Sequence, residues 1–261
     1  MIVCLHGWLD NLASFYPLAE KLSTNFRLIL IDLPGHGQSS PMLEGGHYYI
    51  WHNVEVLYQL LQVLNLTKVN LLGHSMGGVV ASLFAGTFDN RVERLMLLDS
   101  LGPMVDVSEN SPKQLAKAIL ECQRVASPLR VFPSTNDALI ARKKSSPGMS
   151  DDALAPIVAR NLNAVTGGYS WSTDCRLRHA SKFRLSEEQV KGFFNAIRAP
   201  VLLLVAEQGI LPLSWLEQRK SYLSNVKQVN ISGHHHFHAE MLGAELSAEE
   251  VNKFMAVSAS K

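Results

Sequence analysis

Residues 73–77 read Gly-His-Ser-Met-Gly, between the apolar run VNLL and the small-residue stretch GVVAS. Glycines two positions before and after a serine let a strand turn sharply into a helix. The turn holds Ser75 exposed in a strained conformation, its hydroxyl above the sheet and at the helix N-terminus. A serine placed this way attacks a carbonyl carbon and forms an acyl-enzyme. The carbonyl oxygen then becomes an anion and needs backbone N–H donors held out of water. Met76, directly after the serine, offers one amide. The turn after the first apolar run, LHGWLDN, offers the second: Gly7 lets the backbone approach and Trp8 carries the donor.

The reaction also needs a base, and the stretch ISGHHHFHAE places His234, His235, His236 and His238 within five positions. By spacing from Glu240 and the turn at Gly233, His235 is the first candidate for the base and His234 the second. The same cluster invites a metal reading, with His234, His236 and His238 on alternating sides of an extended segment. A transition-metal site also wants ligands from several elements with acidic or thiolate company. The sequence offers none that can be identified, so no metal is expected.

These residues sit on a regular alternation. Apolar runs at IVCL (2–5), RLILID (27–32), VNLLG (69–73), RLMLL (94–98), VLLLV (201–205) and VKQVNI (226–231) read as strands. YPLAEKL and the segments 53–64, 77–88 and 245–257 carry apolar residues at helical spacing. Continuous apolar strands separated by helix-length stretches imply a doubly wound α/β sheet, mostly parallel and covered on both faces. About a hundred residues separate the fourth run from the fifth, and they read as helices (KQLAKAILECQRV, DDALAPIVARNLNAV) broken by Pro and Gly. Residues 103–198 are therefore expected to form a helical cap inserted into a core made of 1–102 and 199–261.

Composition narrows the function classes. The net charge is +1, with 24 Lys and Arg against 23 Asp and Glu scattered along the chain, which argues against nucleic acid as a partner. No run approaches a membrane span. Cys4, Cys122 and Cys175 form no CxxC pair and suit reduced thiols, so a cytoplasmic location is expected. With neither GxGxxG after a strand nor GxxxxGK, no nucleotide cofactor is expected, and none of another kind.

Taken together, HGWLDN (6–11), DLPGHGQS (32–39), GHSMGG (73–78), MLLDS (96–100), WSTDCRL (171–177) and GHHHFH resemble the α/β-hydrolase superfamily, and within it the serine hydrolase-like group. The resemblance spans essentially the whole chain, with the motifs in the family's order. It implies an eight-stranded sheet with a helical cap between strands six and seven, and the first two of those strands have no counterpart here. It implies a Ser nucleophile, a late His base and oxyanion donors from the HG-x turn and the residue after the serine. It also implies a carboxylate after strand seven, where this chain has Gly209. Asp99, ending the strand beside the nucleophile strand, is the leading substitute, as in branches of the superfamily that place the acid after strand six; Glu207 is the alternative. Asp32 and His36 are expected to shape a tight turn. His74, Trp171 and Arg176 are expected to line the substrate pocket, although Asp174 and Arg176 could instead tie the cap to the sheet. The expected function is a serine hydrolase acting on a small or medium carboxylic ester or thioester. The alternatives are an inactive homologue that binds a small molecule or partner, and a carbon–carbon bond hydrolase on the same serine.

Overall fold

A computed structural model describes residues 1–123 and 130–257. The end of the KQLAKAILECQRV segment and the last four residues of the expected core lie outside them. In chain order the elements are β1 (Ile2–Leu5), α1 (Tyr16–Leu22), β2 (Leu28–Ile31), α2 (Ile50–Val63), β3 (Val69–His74), α3 (Met76–Thr87) and β4 (Val92–Leu98). There follow α4 (Ser111–Cys122), α5 (Thr135–Lys143), α6 (Asp151–Arg160), β5 (Leu162–Val165), β6 (Gly168–Trp171) and α7 (Glu187–Ala196). The chain then adds β7 (Val201–Gln208), α8 (Leu213–Lys220), β8 (Val226–His234) and α9 (Met241–Ala256).

Six strands form one sheet in the order β2-β1-β3-β4-β7-β8, and every pairing is parallel. Six stand where the resemblance implied eight, in keeping with the two strands that have no counterpart. The two-residue period of the strands divides their side chains between two apolar layers. Val3, Leu5, Leu71, Leu97 and Leu203 pack with α2, α3 and α7 on one face. Ile2, Cys4, Leu72, Met96, Leu202 and Leu204 pack with α1 and α9 on the other. Because both faces are covered, the strands can be apolar throughout, which is how they read in sequence.

The segment between β4 and β7 differs from an all-helical cap in two ways. Residues 162–171 form an antiparallel hairpin, β5–β6, with Gly167 and Gly168 at its turn (φ 86° and 141°). The TGG sequence between two β-prone runs is the local signal for such a hairpin. In addition α7, inside the expected cap boundary, belongs to the core: Val190 and Phe194 are fully buried in the layer that contains α3. Burying two such side chains contributes about 1.5–3 kcal/mol each, enough to draw the helix onto the sheet rather than leave it over the site.

A single cation ties the two ends of the insertion to the core. Arg219 of α8 is fully buried, its guanidinium 4.3 Å from the Trp215 ring centre. Its Nη1 donates to the carbonyls of Leu101 (2.8 Å) and Pro103 (2.9 Å), where the insertion begins. Its Nη2 donates to Glu187 at the start of α7 (2.7 Å). Removing one partner of a buried charge pair strands the other. Arg219→Met is therefore expected to lower unfolding stability by about 3 kcal/mol, read as the midpoint of urea unfolding; an unchanged midpoint would show that packing alone holds the insertion.

Candidate active site

Sheet register sets the site. In the β3–β4 pair, Gly73 lies opposite Leu97 and His74 opposite Leu98, so Ser75 and Asp99 are the next residues on neighbouring strands, at the carboxyl edge. Neighbouring strands run about 4.8 Å apart. Both residues leave their strands in strained backbone: Ser75 has φ 49° and ψ −118°, and Asp99 has φ 43°. Leu9, in the turn after β1, also has a positive φ, 59°. Such conformations cost on the order of 1–3 kcal/mol each for residues with a side chain, so surrounding bonds must hold them. The Ser75 N–H donates to Leu98 O (3.1 Å), and Ser100 Oγ donates to Ser75 O (2.7 Å). Gly77 lets this turn exist, because a Cβ there would overlap the Leu5 carbonyl of β1.

The carboxylate of Asp99 reaches sideways across the end of β7. Its Oδ1 accepts from Ala206 N (3.2 Å), and its Oδ2 accepts from Ile210 N (3.1 Å). The same Oδ2 lies 2.6 Å from Nδ1 of His235, the first residue after β8. The Asp99 side chain is completely buried and that of His235 is 15% exposed. The position after β7 is empty of side chain for a steric reason: a Cβ on Gly209 would lie 2.5 Å from both Asp99 carboxylate oxygens. A carboxylate on β4 and a glycine after β7 are thus one structural choice. Glu207 is exposed and makes no hydrogen bond to a histidine among the described residues.

The two expected oxyanion donors come from the start of α3 and the turn after β1. Met76 opens α3, where the helix dipole favours negative charge. Trp8 lies in the turn after β1, and among the described residues neither amide has a backbone acceptor. The Trp8 side chain is half exposed, and its Nε1 donates to Leu177 O of the insertion (3.0 Å).

The three residues expected to line the pocket do other work. His74 is fully buried, and its Nε2 donates to the carbonyl of His235 (3.0 Å), so it packs against the histidine loop. Trp171 packs edge-on to Phe132, ring centres 5.1 Å apart, inside the small core of the insertion. The Arg176 guanidinium is committed to Asp174 and to the carbonyls of Met42, Leu43 and Gly46. That leaves it no free edge for an anionic substrate, so it ties the insertion to the loop before α2. The second candidate base, His234, turns away: its Nδ1 accepts from His236 N (3.1 Å) and its Nε2 lies 3.5 Å from Glu240. Asp32 shapes the turn after β2, accepting from Leu12 N, Gln38 N and Arg160.

Sequence reasoning passed over Asp10, which organises the turn after β1. Fully buried, it receives Nη2 of Arg142 on α5 at one oxygen (2.7 Å) and pairs the other with Nε2 of His236 (3.1 Å). Burial pushes its carboxyl up, but His236 and Arg142 outweigh that and hold it well below the usual range. Its only sequence signal was an acid beside the HG turn. His6 was passed over as well; its Nε2 accepts from Leu33 N (3.0 Å) and its Nδ1 donates to Gly7 O (2.7 Å), bracing the turn.

A covered parallel sheet with a strained serine between strand and helix, and a histidine–carboxylate couple at the same edge, defines an α/β-hydrolase type of protein. The chain belongs to the alpha/beta hydrolase fold family, whose sequence model matches residues 1–239. It is 28% identical to a serine hydrolase-like protein of Danio rerio over 91% of this chain and 76% of that protein. It is 29% identical to serine hydrolase-like protein 2 of Homo sapiens over 85% of this chain and 71% of that one. The crystal structure of a hypothetical protein from Pseudomonas aeruginosa PAO1 superimposes with a TM-score of 0.90 at 33% identity, covering 98% of this chain and 91% of that one. No helix among the described residues is long and apolar enough to cross a membrane.

Two stability predictions follow from this geometry. Gly209→Ala drives a methyl into a carboxylate fixed by three hydrogen bonds, and the expected loss is about 1–3 kcal/mol, read by thermal melting; an unchanged melting temperature would mean that Asp99 moves freely. The second concerns acid. Burial lowers the pKa of His6, His36, His74 and His238 from 6.5, and that of His36 falls to about 3. These rings stay neutral in the folded chain while the unfolded chain protonates them, so their contribution is complete above pH 6.5 and shrinks as pH falls from there. Melting temperature is expected to fall from about pH 6.5 downward, before the carboxylates titrate; a flat profile down to about pH 5 would contradict it.

Proposed function

We propose that the chain is a serine hydrolase that cleaves a small or medium carboxylic ester or thioester through an acyl-enzyme on Ser75. The observation that carries this reading is the 2.6 Å contact between His235 Nδ1 and the buried Asp99 carboxylate, at the sheet edge where Ser75 leaves β3. A carboxylate only accepts, so it fixes the proton on Nδ1 and leaves Nε2 with a lone pair.

In the proposed reaction, Nε2 of His235 takes the Ser75 hydroxyl proton as Oγ bonds to the substrate carbonyl carbon. Asp99 stabilises the imidazolium. The amides of Trp8 and Met76 donate to the new oxyanion. Collapse breaks the carbon–oxygen or carbon–sulfur bond, and the imidazolium returns its proton to the leaving alcohol or thiol. Water, deprotonated by the same nitrogen, then attacks the acyl carbon and frees Ser75. Asp10 and His236 act at a distance, by holding the turn that carries Trp8.

The reading of an inactive homologue arose from Gly209. Because Asp99 occupies the space in front of that glycine and meets the histidine, Gly209 no longer argues for inactivity. The test is turnover of p-nitrophenyl esters of graded chain length by wild type, Asp99→Asn and Glu207→Gln, with Ser75→Ala as the blank. Asp99→Asn is expected to lose about 10⁴-fold in turnover while staying folded, and Glu207→Gln to match wild type. An Asp99→Asn protein as fast as wild type would remove the acid from the mechanism. A wild type no faster than the blank on every ester would favour the binding reading, and turnover of a carbon–carbon substrate alone would favour the third.

A further inference from the structure

The loop that carries His235 gathers more imidazoles than a proton relay needs. His74, from the end of β3, has its ring centre 4.6 Å from that of His235 and 5.0 Å from that of His236. The His235 and His236 rings are also 5.0 Å apart. One ring nitrogen from each of the three lies within 4.8 Å of those of the other two. The histidines come from two elements, with the Asp10 and Asp99 carboxylates beside them, so the convergence and acidic company that the sequence did not reveal are present.

Their hydrogen bonds define which nitrogens are free. Carbonyl and carboxylate oxygens accept, so the protons belong on His74 Nε2 facing His235 O (3.0 Å), on His235 Nδ1 facing Asp99 (2.6 Å) and on His236 Nε2 facing Asp10 (3.1 Å). In the neutral rings this leaves lone pairs on His74 Nδ1, His235 Nε2 and His236 Nδ1. His74 Nδ1 is completely buried and has no hydrogen-bond partner among the described residues.

A histidine whose second nitrogen donates to a carboxylate or carbonyl is the arrangement that orients an imidazole towards a metal and raises its basicity. Three such histidines with one open position make a site for a zinc-like ion. We propose that His74, His235 and His236 bind one divalent transition-metal ion of the zinc class, and that the bound ion occupies the lone pair the hydrolytic reaction needs. Binding itself does not depend on the proposed function; inhibition does. His235 and His236 side chains are 15% and 17% exposed, which gives the ion a route from solvent. Zinc–nitrogen bonds of about 2.0–2.1 Å bring tetrahedral ligands to about 3.3 Å from one another, so the loop after β8 must close on the ion. No bond within the protein breaks: the ion exchanges water for three nitrogen lone pairs, and protons compete with it as pH falls.

The test is isothermal titration calorimetry with zinc chloride alone, at about pH 7.5 in a non-chelating buffer. The proteins are the wild type, Ser75→Ala, His74→Asn, His236→Asn and, as a distant control, His52→Asn on α2. One zinc per chain is expected for wild type, Ser75→Ala and His52→Asn, with affinity at least about tenfold weaker in His74→Asn and His236→Asn. If buried His74 does not tolerate replacement, as its melting curve would show, His236→Asn decides alone. Absence of binding by the wild type overturns the proposal, as does binding that both site variants retain or that His52→Asn loses. Ester turnover measured in parallel separates the two readings: zinc binding without any turnover leaves the metal site standing and removes the hydrolase reading, whereas turnover without zinc binding does the reverse.

Discussion

A buried carboxylate governs the carboxyl edge of this sheet. Asp99 carries its charge out of water, where an uncompensated ion costs several kcal/mol, and its two oxygens are satisfied by Ala206 N, Ile210 N and His235 Nδ1. Those donors belong to the end of β7, the loop after it and the loop after β8. One side chain from β4 therefore fixes the height and direction of two neighbouring chain segments. The strain at Ser75 and Asp99 is tolerated because both residues leave paired strands, with Ser75 N bonded to Leu98 O and Asp99 N to Leu204 O. Strand pairing supplies the force and the carboxylate supplies the aim.

How much of this was legible in the sequence depended on the range of the interaction. Ser75 was readable because its signal is local: glycines at fixed offsets and an apolar strand before them. The strands were readable for the same reason, since both faces of the sheet are covered and each strand is a short apolar run. Asp99 could be only a candidate, because its role depends on which strand neighbours β3 and on the vacancy at Gly209, neither visible in a linear string. The choice between His234 and His235 likewise needed the carboxylate in place. The β5–β6 hairpin carried a usable signal in its TGG turn, but the helical reading of the preceding residues obscured it. The contacts of His74 and Trp171 could not be read from the sequence, and the Asp174–Arg176 tie could be only one of two readings, because residue type says what a side chain can do and only packing says what it faces.

The histidines illustrate a different limit. Four imidazoles within five residues looked like a metal motif in an extended segment, with alternate residues as ligands. The loop instead bends after β8: His234 turns towards Glu240, His238 packs against His74 with ring centres 4.1 Å apart, and the three whose ring nitrogens come within 4.8 Å of one another are His74, His235 and His236. His74 enters from a distant part of the chain, and its partner on the loop is a carbonyl rather than another ring. Both ring nitrogens of His238 are buried without hydrogen-bond partners among the described residues, a cost that no contact in the structure explains.

The insertion and the turn after β1 are mechanically one unit, and this constrains how the proposed site can change its substrate. Asp10 joins α5 to the histidine loop through Arg142 and His236, Trp8 bonds to Leu177, and Asp32 joins α6 through Arg160. Each tie crosses from the residues around the proposed donors to the segment that covers them, and two are charge pairs whose acids are nearly or fully buried. Moving the insertion to admit a larger acyl group would pull on the turn that carries Trp8, and a donor displaced by about 1 Å loses much of its worth to a developing oxyanion. Selectivity on this scaffold is therefore expected to change by replacing side chains on a fixed insertion rather than by shifting the insertion itself. In the proposed site, Gly7 packed against His74, Leu9 with its positive φ and buried Asp10 are the residues of the turn that hold the Trp8 amide in place.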